Sequence, residues 1–317
     1  MSGKRIACVF PGQGAQSVGM LAALAALCPL VEDTFAEASE ALGYDLWRLV
    51  QEGPAERLDR TEHTQPAMLA AGIAVWRVWR SRGGPDPVVV AGHSLGEYTA
   101  LVAAEALAFA DAVALVAERG RLMQAAVPEG RGAMAAILGL DDAAVEALCA
   151  EHSGDGVAEA VNYNAPGQVV IAGEREAVER VCAAARAAGA RRVVPLAVSV
   201  PSHSSLMREA AARLAERLAG VALRAPRWPV LHNVDAAPRA DAEGLRAALA
   251  RQLHSPVRWT DTVRRFRAHG AEALLECGPG KVLTGLARRI DKGLPAYTVH
   301  DPESLEAALA ALREAAG

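Results

Sequence analysis

The sequence predicts an α/β protein whose mostly parallel sheet is interrupted by a smaller inserted domain. Short apolar segments, such as 5–10, 87–91 and 273–277, alternate with longer helical stretches. This alternation is typical of parallel strands buried between two layers of helices. From residue 129 to residue 198 the predicted strands lie closer together, which indicates a second sheet.

The larger domain is predicted to comprise residues 1–128 and 199–317. Its first strand, Arg5–Phe10, ends at the turn signal Pro11-Gly12. A helix with a broad apolar face is predicted over Thr64–Arg80. The other main elements are the strand Pro87–Ala91, the helix Ser205–Ala219, the strand Val230–Val234, the helices Leu245–Leu253 and Trp259–His269, and the strand Ala273–Cys277.

The inserted domain, residues 129–198, has the predicted order β-α-β-β-α-β, which is typical of a ferredoxin-like unit. Its predicted elements are Gly132–Leu140, a helix over 141–151, Val157–Asn164, Gln168–Ala172, Glu174–Ala188 and Arg191–Val200. The last strand is expected to lead the chain back into the larger domain.

The composition excludes several classes of protein. With 52% hydrophobic and 22% charged residues, the chain is typical of a soluble globular protein. A net charge of -4 with interspersed signs argues against a nucleic-acid partner. Five widely spaced cysteines without a CxxC pair argue against disulfides and structural zinc, and favour the cytoplasm. The apolar stretch Met20–Leu27 is too short to cross a membrane, and the absence of a large apolar stripe predicts a monomer.

A candidate nucleophile lies in Gly92-His93-Ser94-Leu95-Gly96, which fits G-x-S-x-G between a predicted strand and a predicted helix. Small flanking residues permit the sharp turn that exposes a serine hydroxyl. The free N–H groups at the start of the helix can bind an oxyanion. A chance glycine pattern around a helix-capping serine is the alternative.

A serine nucleophile needs a base, and the chain has eight histidines. His203 follows a predicted strand end, where open α/β sheets place functional groups. The residues alone favour His203 over His232 without excluding either. His93 is expected to point away from Ser94, because neighbours in a tight turn usually diverge.

Longer motifs resemble the malonyl-CoA:acyl carrier protein transacylases of bacterial fatty-acid synthesis. The resemblance is collinear and spans residues 5 to about 290. It rests on these segments: Phe10 to Gln16, Gly92 to Tyr98, Asn162 to Gln168, Pro201-Ser202-His203, Gln252 with Ser255 to Trp259, and Glu276 to Leu286.

The resemblance implies an α/β-hydrolase-like large domain with a ferredoxin-like insertion, and a role for each site residue. Ser94 would be the nucleophile and His203 its base, with the ring oriented by the backbone carbonyl of Asn233. The family's reaction transfers a malonyl group from malonyl-CoA to acyl carrier protein without a metal or cofactor. The remaining implied roles are the backbone N–H groups of Gln13 and Leu95 as oxyanion hole, Gln252 lining the site, Asn162 near the pocket mouth, and Arg119 binding the malonyl carboxylate.

Alternatives remain at this level. On the residues alone, Arg119 is most simply a solvated helix residue. A serine esterase or thioesterase would share the nucleophile turn, although hydrolases of this type usually place the histidine late in the chain. A loader for another carrier protein would use the same chemistry.

Three further features are left open by the sequence. Ser202 is compatible with malonyl but does not exclude methylmalonyl as a substrate. Gly278-Pro279-Gly280-Lys281 lacks the full phosphate-loop pattern, and we interpret it as a structural turn. Candidate residues for carrier-protein docking are Arg191, Arg192 and Arg258.

Overall fold

The structure, a computed structural model, describes residues 3–128, 130–198 and 200–313 of the chain. Within these ranges the strands are β1 Ile6–Phe10, β2 Pro87–Gly92, β3 Gly132–Leu138, β4 Ala158–Ala165, β5 Gln168–Glu174, β6 Arg192–Pro195, β7 Val230–Leu231, β8 Ala273–Cys277 and β9 Ala296–Val299. The helices are α1 Ala22–Leu27, α2 Leu30–Leu42, α3 Leu46–Glu52, α4 Ala55–Leu58, α5 Thr61–Ser81, α6 Gly96–Ala103, α7 Phe109–Ala126, α8 Asp142–His152, α9 Arg175–Ala187, α10 Arg208–Ala219, α11 Ala242–Gln252, α12 Trp259–Arg265, α13 Val282–Ile290 and α14 Pro302–Leu312. Short 3₁₀ turns cover Ser205–Met207 and Arg267–His269.

A parallel sheet with the strand order β7-β2-β1-β8-β9 forms the centre of the molecule. In β1, Ile6, Cys8 and Phe10 pack into one apolar cluster, while Ala7 and Val9 pack into another on the opposite face. Both faces are therefore covered, as the continuous apolar runs predicted. The carboxyl ends of β1, β2 and β7 lie together at one edge of this sheet.

The strand predicted over Val230–Val234 is shorter than expected, because the chain turns directly after Leu231. The Ala236 N–H donates a hydrogen bond of 2.8 Å to the His232 carbonyl. This turn removes His232 and Asn233 from the sheet. It leaves their side chains free to point toward the turn that follows β2.

An antiparallel sheet with the order β4-β5-β3-β6 is built from the middle of the chain. Helices α8 and α9 pack on one face around Ile137, Ile171 and Val181. The predicted order of elements is present. The last strand was predicted to reach Val200, but it ends at Pro195, and the predicted range includes residue 199, which lies outside the described residues.

Backbone hydrogen bonds connect β4 to the segment that precedes α12. The Val257 N–H donates to the Val161 carbonyl at 2.8 Å, and the Tyr163 N–H donates to the Val257 carbonyl at 3.0 Å. The antiparallel sheet is thereby fixed beside the carboxyl edge of the parallel sheet. Across the described residues, every helix is too short or too polar to span a lipid bilayer.

Candidate active site

A tight turn between β2 and α6 carries Ser94. The residue has a φ of +52°, a left-handed conformation that residues other than glycine seldom adopt. The flanking glycines are sterically required. A Cβ on Gly92 would lie 1.8 Å from the carbonyl carbon of Gly96, and a Cβ on Gly96 would lie 2.1 Å from the carbonyl oxygen of Phe10. The strand–turn–helix setting predicted for Ser94 is therefore present.

His203 is the histidine that reaches Ser94. Its Nε2 lies 2.7 Å from the Ser94 Oγ, and its Nδ1 lies 2.8 Å from the Gln252 carbonyl oxygen. Since a carbonyl only accepts hydrogen bonds, the ring carries its proton on Nδ1 and turns the Nε2 lone pair toward the serine. Burial, reinforced by the charge of Arg119, lowers the pKa of His203 from 6.5 to about 3. The neutral ring can therefore accept the serine proton.

The carbonyl that orients His203 differs from the one expected. The family resemblance assigned this role to Asn233, and that assignment is wrong, because the Asn233 carbonyl accepts from the Arg258 N–H at 2.9 Å. Gln252 supplies the carbonyl instead. It is the last residue of α11, where carbonyl groups have no partner within the helix.

Asn233 nevertheless belongs to the site, through its side chain. Its Oδ1 accepts from the Ser94 N–H, and its Nδ2 donates to the Gly92 carbonyl, both at 2.7 Å. Asn233 is fully buried at the end of β7. Its amide therefore holds the backbone of the serine turn at two points.

Arg119 is a buried cation beside Ser94. It lies on α7, is 1% exposed, and places Nη2 at 3.0 Å from the Gln252 Oε1 and 3.4 Å from the Ser94 Oγ. In the part of the chain that the structure describes, it forms no salt bridge within 4.0 Å, and its Nε has no hydrogen-bond partner. Burial lowers the pKa of Arg119. A solvated position is excluded, and an unpaired buried guanidinium favours an anionic ligand.

Gln13 and Leu95 are next in sequence to residues of the serine site, Gln13 to Gly12 and Leu95 to Ser94. A Cβ on Gly12 would lie 2.5 Å from the His93 carbonyl oxygen and 3.7 Å from the Ser94 Cβ, so the loop after β1 contacts this turn directly. Within the described ranges, neither the Gln13 N–H nor the Leu95 N–H donates a hydrogen bond to the protein. Both N–H groups are therefore available as donors.

Gln252 and Asn162 differ in their relation to the serine. The buried Gln252 side chain accepts from Arg119 and donates to the Ser94 carbonyl at 2.8 Å. Asn162 lies on β4, where it forms a bridge with Val257. Its buried Oδ1 has no partner among the described residues. The structure thus joins Gln252 directly to Ser94, while Asn162 is joined to the neighbouring segment.

Two residues without an assigned role, Glu97 and His232, are fully buried next to the site. Sequence reasoning considered His232 as the second choice of base. Its Nδ1 instead lies 2.7 Å from the Glu97 Oε1. A signal for Glu97 was available in the sequence, because it is the single charged residue of the mostly apolar helix Gly96–Ala103. His93 points away as expected, with its Nε2 at 2.8 Å from the Asn164 Oδ1.

Comparison with known proteins identifies the class. Residues 7–299 match the family model described as "Acyl transferase domain". The chain therefore belongs to the acyl transferase family and is an acyltransferase.

Within that class, the chain belongs to the malonyl-CoA:acyl carrier protein transacylases. The relative of that name from Salmonella typhimurium is 58% identical over 305 residues, which cover 96% of this chain and 99% of the relative. The relative from Bacillus subtilis is 42% identical over 98% of both chains.

Solved structures agree. The malonyl-CoA:acyl carrier protein transacylase from Xanthomonas oryzae is 52% identical, with a TM-score of 0.97 over 99% of this chain and all of that chain. A malonyl-transacylase solved in complex with a type II PKS acyl-carrier protein is 56% identical, with a TM-score of 0.95 over 96% of this chain and 99% of that chain.

Proposed function

We propose that this protein transfers a malonyl group from malonyl-CoA to the phosphopantetheine thiol of an acyl carrier protein, through an ester on Ser94, and so supplies fatty-acid synthesis. The carrying observation is the buried Arg119 guanidinium, which has no carboxylate partner among the described residues and lies 3.4 Å from the Ser94 Oγ. At this distance, Arg119 can bind the carboxylate of a substrate whose thioester carbon is attacked by Ser94. The names of the relatives, and the structural neighbour bound to a carrier protein, support the same pair of substrates.

In the first half-reaction, the His203 Nε2 takes the Ser94 proton while Oγ attacks the malonyl carbonyl carbon. The N–H groups of Gln13 and Leu95 bind the negative charge that develops on the carbonyl oxygen. The tetrahedral intermediate collapses by breaking its C–S bond. Coenzyme A leaves as the thiol, with the proton that His203 had accepted.

Arg119 selects the acyl group. Its guanidinium binds the free malonyl carboxylate with charge-assisted hydrogen bonds, worth about 1.5–3 kcal/mol each. An acetyl group has no carboxylate and would leave the buried cation unpaired. The arginine therefore separates malonyl from acetyl thioesters.

The second half-reaction reverses the first with a different thiol. The phosphopantetheine thiol gives its proton to His203 and attacks the malonyl ester. Ser94 then leaves and regains the proton from the imidazolium. The two thiols use one site in turn, which makes the cycle ping-pong. No step needs a metal or a redox cofactor.

We also propose the finer description of the fold and its setting. The large domain, 1–128 with 199–317, is α/β-hydrolase-like, and the small domain, 129–198, is ferredoxin-like. The sheet order β4-β5-β3-β6, with helices on one face, supports the second assignment. The protein acts in the cytoplasm as a monomer.

Acid-quenched intact mass tests the proposal. Incubation with malonyl-CoA should add one malonyl group to the native protein and none to Ser94→Ala. Addition of holo acyl carrier protein should discharge the native adduct and produce malonyl-carrier protein. Release of free malonate without transfer would instead identify a thioesterase, which is the competing function on this nucleophile turn.

A further inference from the structure

Glu97 is a carboxylate at the centre of the site that forms no direct hydrogen bond with Ser94, His203 or Arg119 among the described residues. It is 0% exposed on the first turn of α6. Oε1 accepts from the His232 Nδ1 at 2.7 Å, and Oε2 accepts from the Asn233 N–H at 2.8 Å and from the Gln252 Nε2 at 3.1 Å. Among the described residues, both partners of Oε2 are N–H donors, and an ionised Glu97 requires His232 to carry its ring proton on Nδ1. Both of its oxygens are therefore needed as acceptors.

Gln252 transmits this contact to the reacting groups. Its amide must point Nε2 at the acceptors Glu97 and the Ser94 carbonyl, and Oε1 at the donor Arg119. The opposite orientation would set an acceptor against a carboxylate and a donor against a guanidinium. The backbone carbonyl of the same residue holds the His203 Nδ1. One glutamine thus fixes both the cation and the base.

We propose that Glu97 is a positioning residue for the transfer reaction, and this inference rests on the function proposed above. Glu97 locks the orientation of the Gln252 amide and thereby sets Arg119 for the malonyl carboxylate. It also holds the Asn233 backbone, whose side chain bonds the Ser94 N–H. His232 helps to hold Glu97 in place. Among the described residues, the His232 ring is hydrogen-bonded only through Nδ1, and the partner of Nδ1 is Glu97.

Glu97→Gln is the sharpest substitution, because it keeps the shape of the side chain. The glutamine oxygen can keep the Asn233 and Gln252 donors if its NH₂ group meets the His232 Nδ1, which accepts it in the other ring tautomer, but the negative charge that strengthened the bond to Gln252 is lost. The Gln252 amide then rotates or moves, and Arg119 loses its fixed position. A displacement of about 1 Å in a reacting constellation lowers rates by about 100-fold. We expect that loss with malonyl-CoA and a smaller one with acetyl-CoA, which does not use Arg119.

The experiment measures single-turnover acylation of Ser94 by malonyl-CoA and by acetyl-CoA, normalised to folded protein. Glu276→Gln is the matched control. Glu276 is another fully buried glutamate, and it accepts the N–H groups of Leu283 and Thr284 away from Ser94. The control should lose stability but keep the native malonyl-to-acetyl ratio. Glu97→Gln should lower that ratio, and it should add little to the loss already caused by Gln252→Ala.

Other outcomes overturn the proposal. A native ratio in folded Glu97→Gln, or additive effects of Glu97→Gln and Gln252→Ala, would mean that Glu97 only supports the fold. If Glu97→Gln does not fold, Glu97→Asp is the second variant, because it keeps the negative charge but withdraws the carboxylate by one methylene group from Gln252 and Asn233. A lowered ratio then supports the positioning role, and a native ratio rejects it. Failure of the native protein to form any malonyl adduct would reject the proposed function itself, separately from Glu97.

Discussion

Ser94 and His203, whose Oγ and Nε2 atoms lie 2.7 Å apart, both adopt left-handed backbone conformations, with φ angles of +52° and +68°. Each such conformation costs about 1–3 kcal/mol in a residue other than glycine. The surroundings hold them in place: the Ser94 N–H donates to Asn233, and the His203 N–H donates to the Leu253 carbonyl at 3.2 Å. The geometry of the pair is therefore imposed by neighbouring segments.

Asn233→Ala should slow acylation of Ser94. The substitution removes the acceptor of the part-buried Ser94 N–H and a donor to the Gly92 carbonyl, at a cost of about 1–3 kcal/mol. We expect the acylation rate constant to fall by about 10- to 100-fold. Rapid-quench measurement with malonyl-CoA checks this. An unchanged rate constant would show that the Asn233 side chain does not position Ser94 for acylation.

The rate of acylation should not fall near pH 6.5, where an ordinary histidine base becomes protonated. The pKa of His203 is lowered to about 3, so the base stays neutral as the pH falls through the ordinary value near 6.5. kcat/KM for malonyl-CoA should therefore be flat from about pH 8 to pH 5. Because the unfolded chain takes up a proton below pH 6.5 and the folded site does not, this group costs stability as the pH falls from 6.5 toward 3. A tenfold loss of kcat/KM per pH unit below 6.5 would contradict the assignment.

Arg119→Ala should reverse the preference for malonyl. Losing two charge-assisted bonds of about 1.5–3 kcal/mol each lowers kcat/KM for malonyl-CoA by about 100-fold or more. Acetyl-CoA, which makes neither bond, should react at a comparable or higher rate. Arg119→Lys should restore only part of the malonyl activity, because an ammonium cannot reproduce the planar fork. Competition between the two thioesters, followed by intact mass, measures the ratio. Equal losses for both thioesters would assign Arg119 to another task.

Gly96→Ala should prevent the serine turn from forming. The added methyl group would lie 2.1 Å from the Phe10 carbonyl oxygen, so β1 and α6 must separate. We expect a large loss of thermal stability together with loss of acylation. Gly285→Ala is the matched control, since nothing lies within 4 Å of its Cβ position on α13. In a helix this change should stabilise by about 0.5–1 kcal/mol. Equal melting temperatures for the two variants would refute the steric argument.

The parallel sheet could be predicted because its strands are short apolar runs that end at turn signals, as at Phe10 and Ala91. The serine turn could also be predicted, because Gly92 and Gly96 are both required by the close packing of the backbone within this short segment. The Asn233 carbonyl was assigned wrongly by the family resemblance, because the turn from His232 to Ala236 directs that carbonyl to the Arg258 N–H. Backbone carbonyls have no sequence signature, so the role of Gln252 required coordinates.

Glu97 was overlooked for a different reason. Its neighbours in sequence predict an apolar helix, and its partners His232, Asn233 and Gln252 come from two segments far along the chain. A buried carboxylate is informative only when its donors are known. The sequence showed only a single charged residue in a mostly apolar helix. Its role could be inferred only from its contacts with His232, Asn233 and Gln252.

The antiparallel sheet lies between Ser94 and His203 in the chain, and Gln252 comes later still. During synthesis, the nucleophile and Arg119 leave the ribosome well before the base and the carbonyl that orients it. On the proposed mechanism, a chain that stops between Arg119 and His203 has a serine without a proton acceptor and does not react with thioesters. Chemical competence thus requires synthesis to have passed Gln252, and a product that ends before His203 lacks the base that the proposed reaction needs.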